Sequence, residues 1–170
     1  MVGGIRYELL DDVDVPEATL ALAGALLCDA FGPSRARRRG WTLLRPLYRV
    51  LVWDGDVLVG NEAGCVVGCD PPILVHGIAD AAVRDGWRSA GIARAMGAMI
   101  HQEAIRRGAA AVICDTGTLG RAALEHGMRA VEPGELYLRR RFRRDLPLVA
   151  NWYVRWHGER VAPLAILARV

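Results

Sequence analysis

The sequence predicts an α+β fold (mixed α/β), with one central, mostly antiparallel sheet flanked by helices, in a single domain over residues 1–170. Three observations carry that prediction. Early in the chain, apolar and β-branched segments follow one another across a two-residue turn signal, which is how antiparallel strands are joined. In the middle, a strand, an amphipathic helix and a short apolar strand come in the β-α-β order. With 170 residues and 52% hydrophobic content, the chain is long enough to bury a core without staples.

Taken in order, Ile5 to Leu10 alternates apolar and polar residues and reads as a first strand. Asp11-Asp12 and an Asp14-Val15-Pro16 turn lead into Glu17 to Phe31, which is Ala/Leu-rich with apolar residues at helical spacing. Gly32-Pro33 ends that helix. Ser34 to Leu44 is basic, irregular or briefly helical, around Trp41. Leu47 to Trp53 and Val57 to Val67 form two strands about an Asp54-Gly55 turn. Asp70-Pro71-Pro72 is a loop, and Ile73 to Val83 is a further strand. From Ser89 to Arg107, apolar residues at Ile92, Met96, Met99 or Ile100, and Ala104 define a helix with one buried face. Gly108 is its C-cap. Ala109 to Cys114, wholly apolar, suits a strand buried on both faces. Leu119 to His126 is a short helix stopped by Gly127. Leu136 to Phe142, Ala150 to Trp156 and Val161 to Val170 read as closing strands.

Composition narrows the function classes. A net charge of +3 is too small to argue for nucleic acid. Gly, Asp or Arg breaks every apolar run well short of the roughly 20 residues of a membrane span, and no secretory signal is visible. These features predict a cytoplasmic protein with no membrane partner. The four cysteines, Cys28, Cys65, Cys69 and Cys114, lie in apolar segments without zinc-ligand spacing, so they are expected to be buried free thiols with no metal. All 22 basic Lys/Arg positions are arginine.

The stretch that carries chemistry runs from Asp80 to Ala93. A strand ends at Val83, a polar turn follows, and a helix is expected from about Ser89. Small residues at Ser89, Ala90, Gly91 and Ala93 keep side chains away from the helix start, where free N–H groups and the helix dipole suit a pyrophosphate. Arg84 and Arg88 can add charge-assisted bonds. On the residues alone, an ordinary turn remains equally open. A dinucleotide fold is disfavoured, because the G-x-G-x-x-G fingerprint is absent and this strand does not open a β-α-β series.

Val83-Arg84-x-x-Trp87-Arg88-x-x-Gly91-x-Ala93 resembles motif A of the GCN5-related N-acetyltransferases. The order of strands and helices is similar to that family over most of the chain. Ile5-Arg6-Tyr7-Glu8-Leu9, Phe31-Gly32-Pro33 and Arg45-Pro46-x-x-Arg49 look most like the nodulation protein A-type N-acyltransferases and the aminoglycoside 2'-N-acetyltransferases. The resemblance implies a splayed sheet and an acyl thioester co-substrate, acetyl-CoA or another acyl-CoA. Arg84, Arg88, Ser89, Ala90, Gly91, Ile92 and Ala93 would cradle its pyrophosphate. Backbone groups of Ala81, Ala82 and Val83 would bind its pantetheine like an added strand, and an N–H near Val83 would polarise the thioester carbonyl. Asp80 occupies a position where many members carry a Glu that accepts the amine proton, although an ordinary aspartate, with a pKa of about 3.9, is a weak base. His76, an even number of residues away on the same strand, would face the same side and is the alternative base. The family's Tyr acid is missing, because alignment on Gly127 puts Ala123 there. Tyr137, His126 and Cys114 are the remaining candidates.

The expected reaction is therefore transfer of an acetyl or longer acyl group to an amine of a small molecule, such as an aminosugar or an amino-acid-derived metabolite. An acyl carrier protein is the alternative donor, and the chain is compatible with a homodimer. The Arg139-Arg140-Arg141-Phe142-Arg143-Arg144 run reads either as a solvated strand edge or as a docking surface for such an acidic carrier. The Arg35 to Arg39 cluster has the same two readings. Trp152, Tyr153 and Trp156 suit core strands, a stacked sugar or an acyl pocket. Two rivals from other classes are a non-catalytic acyl-CoA-binding module and an assembly partner in a biosynthetic complex.

Overall fold

A computed structural model describes residues 4–33, 45–115, 120–140, 143–148 and 152–167. The strands are β1 (Ile5–Asp11), β2 (Pro46–Asp54), β3 (Val57–Val67), β4 (Cys69–Asp70), β5 (Val75–Val83), β6 (Ala111–Asp115), β7 (Arg129–Ala130), β8 (Leu136–Arg140), β9 (Arg143–Leu148), β10 (Trp152–Trp156) and β11 (Leu164–Leu167). The helices are α1 (Glu17–Phe31), α2 (Ile92–Arg106) and α3 (Gly120–Glu125). The chain forms two compact units, Met1–Cys65 with Ile78–Ile100, and Val66–Gly77 with His101–Val170.

In the first unit, strands lie in the order β1-β2-β3-β5. β1 pairs antiparallel with β2 from Ile5↔Asp54 to Asp11↔Tyr48, and β2 with β3 from Asp54↔Val57 onward. Alternation along β2 divides its side chains between two helices. Tyr48, Val50 and Val52 meet Ile92, Met96 and Ile100 of α2 on one face. Leu51 meets Leu26 and Ala23 of α1 on the other, together with Leu58 and Ala82. The apolar repeat of α2 is thus a core stripe, as its spacing predicts. Gly60 and Gly64 let the α2 side close up: a Cβ on Gly60 would lie 3.0 Å from Met96 Sδ, and one on Gly64 would lie 2.2 Å from the Tyr48 ring.

In the second unit, β5 pairs parallel with β6 over Val75↔Ala111, His76↔Val112 and Gly77↔Ile113. The order β5-β6-β10-β7 follows, with antiparallel pairs beyond β6. A further sheet, β4-β11-β8-β9, contains one parallel pair, β11 with β8. Glu135 is the polar hub of this unit, fully buried. It accepts bonds from Arg129 Nη1 (2.8 Å), Trp156 Nε1 (2.9 Å) and the Glu132 N–H (2.9 Å). Burial alone would push its carboxyl up, but those bonds outweigh it and hold the pKa at about 2.

The mixed class and the mostly antiparallel main sheet match the sequence reading, and four details differ. A second sheet exists, because β9 and β4 add pairing that the closing segments did not signal. β8 therefore lies inside a sheet instead of forming a solvated edge, and its Arg139 pairs with Asp70. The β2–β3 turn is Gly55-Asp56, one residue later than expected, with Gly55 at φ 57° supplying the left-handed backbone. Cys28 is exposed, unlike Cys65, Cys69 and Cys114, because only the other side of α1 packs. Ser34 to Leu44, including the Arg35 to Arg39 cluster and Trp41, lies outside the described residues, as do Arg141 and Phe142 of the arginine run. Among the described residues, no helix is long and apolar enough to cross a membrane.

Candidate functional site

β5 does not keep regular alternation. Ile78 and Val83 both pack against the α2-side cluster, whereas Ala82 belongs to the α1-side cluster. Residues an even number apart share a face in a regular strand, so Ile78 and Ala82 should agree and do not. Between them Asp80 has φ 55°, and the alternation slips there. A non-glycine residue in this region costs about 1–2 kcal/mol, so neighbouring groups must hold it.

They do so through a buried polar network on the α1 face. Asn61, wholly buried on β3, donates from Nδ2 to the Asp80 carbonyl at 2.7 Å. Arg49 donates from Nη1 to Asn61 Oδ1 at 3.0 Å and from Nε to Asp12 Oδ1 at 2.9 Å. The same Arg49 Nη1 lies 3.6 Å from Asp80 Oδ2. One guanidinium is thus shared by two carboxylates, Asp12 and Asp80. Burial raises the nearby Cys65 thiol to about 12, with Asp80 adding to the effect, so it stays protonated and unreactive.

Past Val83, the chain turns through an exposed loop. The Arg84 N–H bonds Val59 O at 2.8 Å and its Nε bonds Leu58 O at 3.1 Å, so this arginine is clasped to β3. Because strand N–H groups alternate in direction, those of Ala81 and Val83 point to the opposite edge of β5. Trp87 Nε1 donates to Asp54 Oδ2 at 3.1 Å, tying the loop to the β2–β3 hairpin. Arg88 bonds Val83 O (3.3 Å) and pairs with Asp85 (2.8 Å).

Helix α2 begins at Ile92, not near Ser89 as the small residues suggested, because Ser89 (φ 69°) and Gly91 (φ 77°) are both left-handed. That alternation of left-handed and ordinary backbone makes successive N–H groups converge, an anion-binding geometry. The α2 ladder opens with Ala95 N to Gly91 O at 3.0 Å, so the amides of Ile92, Ala93 and Arg94 precede it. No Cβ contact would arise within 4 Å at Gly91, so the space above it is open. A cavity of about 340 Å³ adjoins the loop, lined by Leu26, Asp29 and Ala30 of α1 and by Val83, Arg84, Asp85 and Arg88.

The structure thus gathers Asp80, Ala81, Ala82, Val83, Arg84, Arg88, Ser89, Ala90, Gly91, Ile92 and Ala93 on one strand, loop and helix start. His76 stands four residues before Asp80 on the same strand, in the part of β5 that belongs to the second unit. His76 precedes the slip at Asp80, so even spacing no longer gives the two a common face. It is buried among Glu103, Arg107 and His157, and burial holds its pKa down to about 4. Ala123 is buried, and Cys114 is buried against Met128 Sδ at 3.6 Å. Sequence reasoning missed Asn61, whose one signal is a carboxamide inside an otherwise apolar strand. It also missed the Trp87–Asp54 bond, which has no sequence signal. Among the described residues, no group of three or more His, Cys, Asp or Glu is placed to hold a metal ion.

The mixed, mostly antiparallel sheet with its flanking helices is the fold of the GCN5-related N-acetyltransferases. YhbS of Escherichia coli, a GNAT family N-acetyltransferase solved in complex with CoA, matches it with a TM-score of 0.69 and 17% identity, over 99% of this chain and 91% of that one. A GNAT family acetyltransferase from Brucella melitensis, in complex with acetyl-CoA, matches with a TM-score of 0.65 and 13% identity, over 94% and 95%. Escherichia coli ElaA matches with a TM-score of 0.65 and 14% identity, over 89% and 99%. No family model and no curated protein matches the sequence.

Proposed function

We propose that residues 1–170 form one cytoplasmic acyltransferase domain that moves an acetyl or longer acyl group from an acyl-CoA to an amine of a small molecule. The observation that carries this reading is the left-handed pair Ser89 and Gly91 at the start of α2, directly after a slipped strand, on a fold shared with proteins solved holding CoA and acetyl-CoA. The converging amides at Ser89 to Ala93 hold the donor pyrophosphate, with Arg88 released from Asp85 to neutralise it. The outward N–H groups of Ala81 and Val83 take the pantetheine, and Val83 N–H faces the oxygen that gains charge as the amine attacks.

In the transfer, the amine nitrogen bonds to the thioester carbonyl carbon, and the C–S bond then breaks. The amine proton passes to Asp80 or to water held by it, while the thiolate takes its proton from solvent. Its carboxylate faces Arg49 Nη1 at 3.6 Å, a placement that suits it to orient an ammonium group as much as to accept a proton. His76, neutral and buried, is assigned a packing role. No acid stands at Ala123, so the chemistry rests on positioning and oxyanion stabilisation. Aminosugars and amino-acid-derived metabolites are the acceptor classes to screen, with an acyl carrier protein as the alternative donor.

Calorimetric titration with acetyl-CoA and with longer acyl-CoAs tests the reading. Saturable binding is expected in the parent and lost in Gly91→Glu, whose far-UV circular dichroism stays folded; equal affinity in both would overturn the loop assignment. Binding without release of free thiol across an amine panel would mark a non-catalytic acyl-CoA-binding module instead.

A further inference from the structure

We infer that Asn61 is a positioning residue: with Arg49 behind it, its side chain clamps Asp80 in the left-handed conformation and so sets which edge of Ala81 to Val83 is presented to the donor. This rests on the reading of that segment as the donor-binding edge. The clamp itself follows from the network. Arg49 can only donate, so its bond to Asn61 (3.0 Å) fixes the carboxamide oxygen on the arginine side. The nitrogen must then point to the Asp80 carbonyl, where it donates at 2.7 Å. Asn61 thereby reads the backbone of Asp80, while Arg49 Nη1 reads its carboxylate at 3.6 Å.

Both grips are well protected from solvent. Asn61 is 0% exposed and Arg49 5%, and apolar neighbours Leu51, Leu58 and Ala82 occupy the same face. A carboxamide has no packing advantage over leucine there, and burying it is tolerable only because both its ends are bonded. Without the clamp, the strained residue relaxes toward ordinary strand geometry. The alternation of Ala81, Ala82 and Val83 then inverts, and their N–H groups exchange edges. The amides of Ser89 to Ala93, several residues on, keep their own geometry.

The clamp therefore acts on the chemical step and spares the anchor. In Asn61→Ala, kcat for acyl transfer should fall on the order of 10- to 100-fold, the scale of a small misplacement at a reacting centre. Calorimetric affinity for unacylated CoA should fall by clearly less than kcat, because the pyrophosphate amides of Ser89 to Ala93 are untouched and only the pantetheine contacts weaken. Glycine adopts left-handed backbone without strain, so strain is read independently in an Asp80→Gly background. There, no relief of strain offsets the lost bonds, so Asn61→Ala should lower the urea midpoint by clearly more than it does in the parent. If Asn61→Ala does not fold, Asn61→Ser serves in the same pair of measurements. Additive urea shifts would overturn the clamp, and so would an unchanged kcat or a loss confined to CoA affinity. If the parent neither binds CoA nor consumes any acyl thioester, the acyltransferase reading fails, and the urea cycle still decides the clamp.

Discussion

At the scale of single residues, Glu62 is the group the proposed chemistry leaves unused. It sits on β3 beside Asn61 and is 6% exposed, and among the described residues its Oε2 has no hydrogen-bond partner. Burial raises its pKa from the ordinary carboxylate range to about 8, because a carboxylate without a cation beside it is costly in an apolar setting. The folded protein therefore keeps a proton here that the unfolded chain gives up near pH 4.5. Stability is lost as the pH rises through that window, by up to about 1.4 kcal/mol per pH unit. Glu62→Gln removes the proton equilibrium and keeps the shape. Urea-unfolding free energies of the two proteins should diverge in favour of the glutamine variant from about pH 5 to about pH 8. Parallel curves over that range would mean that Glu62 ionises freely in the fold.

At the scale of elements, what was legible in the sequence is what short-range physics decides. Glu17 to Phe31 and Val57 to Val67 have the bounds that their periodicity, Gly32 and the β-branched run imply. Long-range pairing left no such trace. Nothing in Leu164 to Leu167 announces a parallel partner in Leu136 to Arg140, because an apolar four-residue segment suits several partners. The small residues before α2 were legible, but the slip at Asp80 was not, since the carboxamide bonded to its carbonyl is Asn61, nineteen positions earlier. The same limit hides a tight contact in the first unit, where the Tyr48 ring lies across Gly64 and its hydroxyl donates to Ile100 O at 3.4 Å. A Cβ at Gly64 would lie 2.2 Å from ring carbon Cζ of a wholly buried tyrosine. The ring cannot yield without disturbing α2, so Gly64→Ala should destabilise by roughly 1–3 kcal/mol or more, the cost of overpacking. Gly64→Ala/Tyr48→Phe should recover little, because the clash is with the ring and not only its hydroxyl. A melting temperature within about a degree of the parent would show that the strand and helix have room the structure does not contain.

At the scale of the whole molecule, the protons sort by sign. All four histidines, His76, His101, His126 and His157, lie in the second unit. His101 stands between two others, with ring centroids 5.8 Å from His126 and 6.1 Å from His157. Burial first, then Arg155 and the neighbouring imidazoles, hold the His101 pKa down to about 3, and His76 is held near 4. His157 is lowered as well, by burial and then Arg155. These rings are neutral in the folded protein, while the unfolded chain takes up their protons below about pH 6.5. Their contribution is complete above that pH and is lost as the pH falls toward about 3–4. Glu103, held at about 2 chiefly by Arg106, and Glu135 join the loss only below their ordinary range near 4.5. Glu62 acts in the opposite direction above 4.5, so stability should peak between about pH 5 and 7 and fall on both sides. From about pH 6.5 to about pH 5 the two ion-paired carboxylates are silent, and Glu62 adds the same slope to the parent and to a histidine variant, so their difference reads the histidine. Neither ring nitrogen of His101 has a hydrogen-bond partner among the described residues. His101→Leu should therefore gain about 1–3 kcal/mol at neutral pH by removing an unpaired buried donor. On the acid side of the optimum it should also flatten the urea-unfolding profile by up to about 1.4 kcal/mol per pH unit. If the parent and His101→Leu lose stability with the same slope from about pH 6.5 to about pH 5, the His101 ring is titrating in water and the cluster is not the acid limit of the fold.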